Sequence, residues 1–138
     1  LRLGKVTGDK KYLDSANGLF SAFSGFLENN PQSAEVLLHA LFFTLSSPAE
    51  IVICGERDDE RTQALVKEIN RRFLPSSVLL FREALKPSEE LLKIAPFLKH
   101  QEMANGMPTV FICRNQTCDR PENSVKALAE RLDKGLAP

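Results

Sequence analysis

A chain of 138 residues has room for one ordinary domain, or for a small domain with a piece of a neighbour attached, and its 18 lysines and arginines balance its 18 aspartates and glutamates. That balance leaves no field to attract nucleic acid or an anionic membrane, and no apolar run approaches the roughly 18 residues of a bilayer span. With 43% hydrophobic residues, a soluble globular protein is expected.

The opening LRLGKVTGDKKYLD has no initiator methionine and no signal-peptide pattern, so it reads as the interior of a longer polypeptide. Leu1 to Val6 resembles a helix tail closed by Gly4 and Gly8, and Thr7 or Asp9 offers a cap for the next helix. Between Tyr12 and Leu27 the apolar residues Tyr12, Leu13, Ala16, Leu19, Phe20, Phe23, Phe26 and Leu27 return every three or four positions, the period of one helix face. Asn30 and Pro31 stop that helix and open a second, AEVLLHALFFTL from Ala34 to Leu45, which is apolar nearly all round. Such a helix needs cover on every side, and one hairpin of about 40 residues cannot supply it. Residues 1–46 are therefore expected to be the last part of a larger helical body, with Val36, Leu37, Leu41 and Phe42 as an interaction surface toward the absent helices. Full cover of that patch by the chain itself would defeat the expectation.

From Ser47 the pattern changes. EIVICG, Glu50 to Gly55, is a β-branched run ended by glycine, as in a buried strand of a parallel sheet. A helix follows with Asp58, Asp59 and Glu60 in its first turn, Arg71 and Arg72 in its last, and a buried face of Leu65, Val66, Ile69 and Phe73. A second strand spans Val78 to Phe81, SEELLKIAPFL is a short helix broken at Pro96, and PTVFIC is a third strand. The last helix presents Val125, Leu128, Ala129 and Leu132 on one face. Alternating strands and helices predict an α/β fold for residues 47–138: a small, mostly parallel sheet of three or slightly more strands with flanking helices, preceded by the helical hairpin of residues 1–46.

The cysteines are the first candidates for chemistry. Cys54, Cys113 and Cys118 form an odd set without framework spacing, which favours a reducing compartment, the cytoplasm by default. Cys54 and Cys113 end predicted parallel strands, and neighbouring strands would bring all three cysteines together at the edge where α/β ligands gather. Zinc would want a fourth ligand, and His100, far back in a loop, is the only extra one, so no metal is expected. CRNQTC lacks the Cys-x-x-Cys spacing of redox motifs, although Arg114 and Arg120 favour a thiolate and RNQT has the look of a loop tip that closes the pair into a ring. The leading expectation is that Cys113 and Cys118 are free, buried or half-buried thiols, with a redox pair as the alternative.

Other motifs carry less. CGERDDERT has one glycine and four acids where a phosphate loop needs bare backbone N–H groups, so helix capping explains it. His39 reads as a core histidine, Glu89 and Glu90 as first-turn acids, and Phe20, Phe23 and Phe26 as core. Ser21, Ser24 and Ser46 have no nucleophile context. No cofactor and no catalytic residue are expected.

The succession EIVICG, NRRFLPSSVLLF, IAPFL and PTVFICRNQTCDRP, spanning most of Ser47 to Pro121, resembles the C-terminal end of the YyaL-type family of spermatogenesis-associated, thioredoxin-like-domain proteins. CRNQTCDRP is the most specific part, and LGKVTGDKKYLD and LLHALFF resemble that family's last barrel helices. The resemblance implies a longer parent: a thioredoxin-like domain, an (α/α)₆ barrel similar to those of sugar epimerases and six-hairpin glycosidases, then this α/β tail. No position inherits a catalytic role. Three functions follow as expectations. The first is a structural domain that covers the parent's barrel, with the rest of that polypeptide as partner and a homodimer of the fragment through the apolar patch. The second is disulfide exchange between Cys113/Cys118 and the thioredoxin-like domain. The third is a small-ligand or carbohydrate-related module at the sheet edge near Cys54 and Gly55.

Overall fold

A computed structural model describes residues 1–115 and 117–135. Strand β1 (Ala49–Gly55) is buried along its whole length, as a near-continuous apolar run must be when both faces of a sheet are covered. β2 (Ser77–Glu83) lies parallel to it, Ala49 opposite Ser77 and Gly55 opposite Glu83. Helix α5 (Glu60–Asn70) joins them; the Asp59 carboxylate accepts the Arg61 N–H at 2.8 Å and opens the helix, while Lys67 stands at its negative end. Gly55 is dictated by this return, since a Cβ there would stand 2.4 Å from Thr62 Oγ1.

The sheet is mixed, with four strands in the order β2-β1-β3-β4, which corrects the mostly parallel three-stranded expectation. β3 (Thr109–Arg114) runs antiparallel to β1, and β4 (Thr117–Cys118) antiparallel to β3. The reason is reach. Helix α6 (Glu89–Ile94), capped by Ser88 and followed by a 3₁₀ turn over Pro96–His100, has six residues, about 9 Å at 1.5 Å per residue. It does not carry the chain back along the sheet, so β3 starts where β2 ended, with Thr109 opposite Cys54.

Two apolar layers close the core. On one face Ile51, Ile53, Val110 and Ile112 meet Leu65 and Ile69 of α5 and Leu128 and Leu132 of α7 (Val125–Asp133), which Ser124 caps. On the other, Val52, Cys54, Phe111 and Cys113 meet Ala95, Leu98, Leu91 and Leu92, together with Val6 from α1 (Arg2–Thr7). Arg72 ties α5 to α7 by binding Glu68 at 2.5 Å and Asp133 at 2.8 Å. Phe73, expected on the buried face of α5, is 91% exposed because the helix ends at Asn70.

Helix α1 closes on Gly8 (φ 72), whose N–H donates to Gly4 O at 2.9 Å. It is fastened to the sheet: Arg2 donates to the carbonyls of Ser77 and, at 2.8 Å, Pro75. The long helix expected over Tyr12 to Leu27 is two, α2 (Lys10–Ala22) and α3 (Ser24–Asn29), broken at Phe23. Serine and glycine are poor helix formers, and Ser24 Oγ bonds back to Ser21 O at 3.1 Å. Neither helix buries a residue, so Phe23 and Phe26, 45% and 43% exposed, are not core as the sequence had implied. In α4 (Glu35–Leu45) Phe43 alone is buried, and His39, expected inside, is exposed. No helix among the described residues is long and apolar enough to cross a membrane.

Candidate functional site

The hairpin between β3 and β4 carries the paired cysteines. Arg114 and Thr117 face each other next to the turn, and Asn115 takes φ 50, a left-handed conformation that asparagine tolerates better than most residues. Gln116 of the RNQT tip lies outside the described residues. Asp119 N–H donates to Ile112 O at 2.9 Å, which makes Cys113 and Cys118 the intervening pair, where antiparallel strands approach most closely. Their Cα atoms are 3.8 Å apart and their sulfurs are bonded. The structure thus joins the two thiols that the sequence reading expected to be free. Strand pairing brings together residues whose spacing in sequence matches no redox motif.

The register places a third group in the same row. Glu50 of β1 stands directly opposite Cys113, on the same face of the sheet, and the residue is fully buried. Lys5 on α1 reaches over it: Nζ lies 3.4 Å from Glu50 Oε1 and donates to Asn115 Oδ1 at 2.8 Å. Gln101, leaving the 3₁₀ turn, donates from Nε2 to Cys118 Sγ at 3.3 Å. The disulfide is therefore set among a buried carboxylate, an ammonium and an amide. Sequence reasoning missed all three. Glu50 was the one legible signal, a charge in a strand otherwise apolar on both faces.

Cys54 does not join this group. It pairs with Thr109, at the opposite end of β1 and β3 from Glu50 and Cys113, because the two strands are antiparallel. Arg82 Nη1 donates to its sulfur at 3.2 Å. Burial pushes the Cys54 thiol up, and the hydrogen bond and charge of Arg82 pull it only part of the way back. The space directly over neighbouring Gly55 is filled by Thr62 and Pro108 side chains.

The second candidate is the apolar patch. Val36 is 82% and Phe42 53% exposed, and Leu37 and Leu41 are half-buried. Leu19, Phe23, Phe26 and Leu45 of the same helical segment are also exposed. Leu19 and Phe20 of α2 and Leu37 and Ala40 of α4 line a cleft of about 470 Å³. Large exposed apolar patches on folded proteins often mark interaction sites.

No protein-family model and no solved structure matches the chain. Human spermatogenesis-associated protein 20 is 32% identical over 121 residues, which cover 88% of this chain and 15% of that protein. The protein of the same name from Rattus norvegicus is 31% identical over 121 residues. An uncharacterized protein of Caenorhabditis elegans is 26% identical over 135 residues, 97% of this chain and 18% of its own length. The chain spans about 15% of the mammalian relatives it matches. Over most of its length it is similar to one segment of spermatogenesis-associated protein 20, which supports the family expected from residues 47–121 and makes the chain a counterpart of a small part of a larger polypeptide.

Proposed function

We propose that the chain is an architectural α/β unit of a larger polypeptide, and that α2 to α4 form the face by which it covers and stabilises a helical barrel in the remainder. The observation that carries this reading is α4, with one buried residue among eleven and Val36, Phe42 and Leu45 largely exposed. The mammalian relatives, in which the 121 matched residues make up only 15% of the length, supply the remainder from which cover comes. The division falls near residue 46, and α1 fastens the helical part to the sheet through Arg2 and Lys5. Separated from its cover, the chain is expected to self-associate and to bind an apolar dye. A strict monomer in sedimentation, with no dye binding, overturns the reading.

The disulfide favours a second reading, exchange of Cys113–Cys118 with a thioredoxin-like domain of the same polypeptide. Three cysteines without a framework fit a cytoplasmic protein, and disulfides found in that compartment are typically transient and catalytic or redox-sensing. Serine at both positions in the full-length polypeptide is expected to abolish its reductase activity; unchanged activity refutes this second reading.

A further inference from the structure

We infer that dithiol attack on this disulfide falls on Sγ of Cys118, and that the Lys5–Glu50 pair handles the proton of the buried Cys113 sulfur. The inference rests on the exchange reading and adds to it the sulfur attacked and the groups that serve the other one. Cys113 is 0% exposed and Cys118 is half-buried at the hairpin, so an incoming thiolate reaches Cys118. A donor thiolate forms a bond to Sγ of Cys118 as the Cys113–Cys118 bond breaks, and the electron pair leaves on Sγ of Cys113. The donor's second thiolate then attacks the donor sulfur of the mixed disulfide and releases Cys118 as a thiolate. Two electrons have passed, the donor is a disulfide, and the pair becomes two thiols by taking up two protons.

Cys118 takes its proton from water. Cys113 has no such access, and a bare thiolate in a buried site is costly. Directly opposite residues of an antiparallel pair hold their Cβ atoms about 5 Å apart, and Glu50 is the residue opposite Cys113. Lys5, whose side chain keeps 18% exposure, connects that carboxylate to solvent. The proton held between Lys5 and Glu50 passes to the Cys113 thiolate and is replaced through Lys5; in re-oxidation Glu50 takes it back as Cys113 attacks. The remaining charges around the site are otherwise engaged. Arg2 on α1 binds backbone carbonyls, Arg114 and Asp119 pair with each other at 3.5 Å on the opposite face with Arg131, and Glu89, Glu90, Lys93, Lys99 and His100 on α6 and the 3₁₀ turn are exposed. Gln101 is neutral.

The test follows the Cys113–Cys118 peptide in the full-length polypeptide by timed alkylation and mass mapping, in dithiothreitol and in glutathione buffers from about pH 6 to 9, the range of thiol ionisation. Glu50→Gln is expected to slow reduction and re-oxidation together by about tenfold or more, the scale of a lost acid–base group, with the reduction potential unchanged and the pH profile flattened. Lys5→Met is expected to act in the same direction and carries the test if Glu50→Gln does not fold. Unchanged rates, or a change in one rate only with a shifted potential, overturn the assignment and leave the exchange reading standing. A wild-type pair inert to dithiothreitol overturns both.

Discussion

Placing aspartate at both Val36 and Phe42 in the full-length polypeptide is expected to loosen the segment around α4 while leaving the isolated chain nearly unaffected. Full burial of such side chains contributes about 1.5–3 kcal/mol each. Val36 is 82% and Phe42 53% exposed on this chain, so covering what remains is worth about 1.5 kcal/mol at each position and about 3 kcal/mol together. Aspartate removes that gain and adds an uncompensated buried charge, so about 3 kcal/mol is a floor. Hydrogen exchange at the β1 amides reports the opening of this unit within a large protein, and 3 kcal/mol appears there as roughly a hundredfold faster exchange, at about 1.4 kcal/mol per factor of ten. In the 138-residue chain alone the same substitutions sit on solvent-facing positions and are expected to stay within about 0.5 kcal/mol. Equal effects in the two contexts would refute the reasoning.

Other perturbations address the sheet. Cys54→Ala is expected to cost about 1–3 kcal/mol in urea unfolding, because Arg82 loses its buried acceptor. The raised Cys54 thiol gives that group a stability contribution fully present below its ordinary value near pH 8.5 and lost as pH rises toward the folded value; replacing Cys54 should shallow the alkaline limb of the stability curve. Thr62→Val is expected to be neutral or stabilising by thermal melting, since Thr62 Oγ1 is buried without a hydrogen-bond partner. Asn115→Val should destabilise by about 1–2 kcal/mol and Asn115→Gly far less, because the position has φ 50; equal costs would place the strain elsewhere.

The elements most legible in the sequence were those with local chemistry at their ends. Asp59, Ser88 and Ser124 each accept a backbone N–H at a helix start, and α5, α6 and α7 lie within the three stretches that the sequence reading made helical. Strand direction is not written in a strand's own pattern: PTVFIC reads alike in either orientation, and only the short reach of α6 decided it. That single reversal separated Cys54 from Cys113 and replaced a three-cysteine edge with the Glu50–Cys113–Cys118 row. Glu50 was hidden because an apolar strand was read for its β-branched residues. His39 and the phenylalanines of α2 and α3 were misplaced for another reason: periodicity shows that a face wants cover, not whether this chain supplies it.

The central claim is that the exposed face of α2 to α4 is covered in the whole polypeptide, and covalent solvent footprinting of Val36, Phe42 and Leu45 in the full-length protein and in the isolated chain tests it most directly. The account predicts strong labelling of all three in the isolated chain, where they are 82%, 53% and 74% exposed, and clear protection in the full-length protein. Equal labelling in both would contradict it.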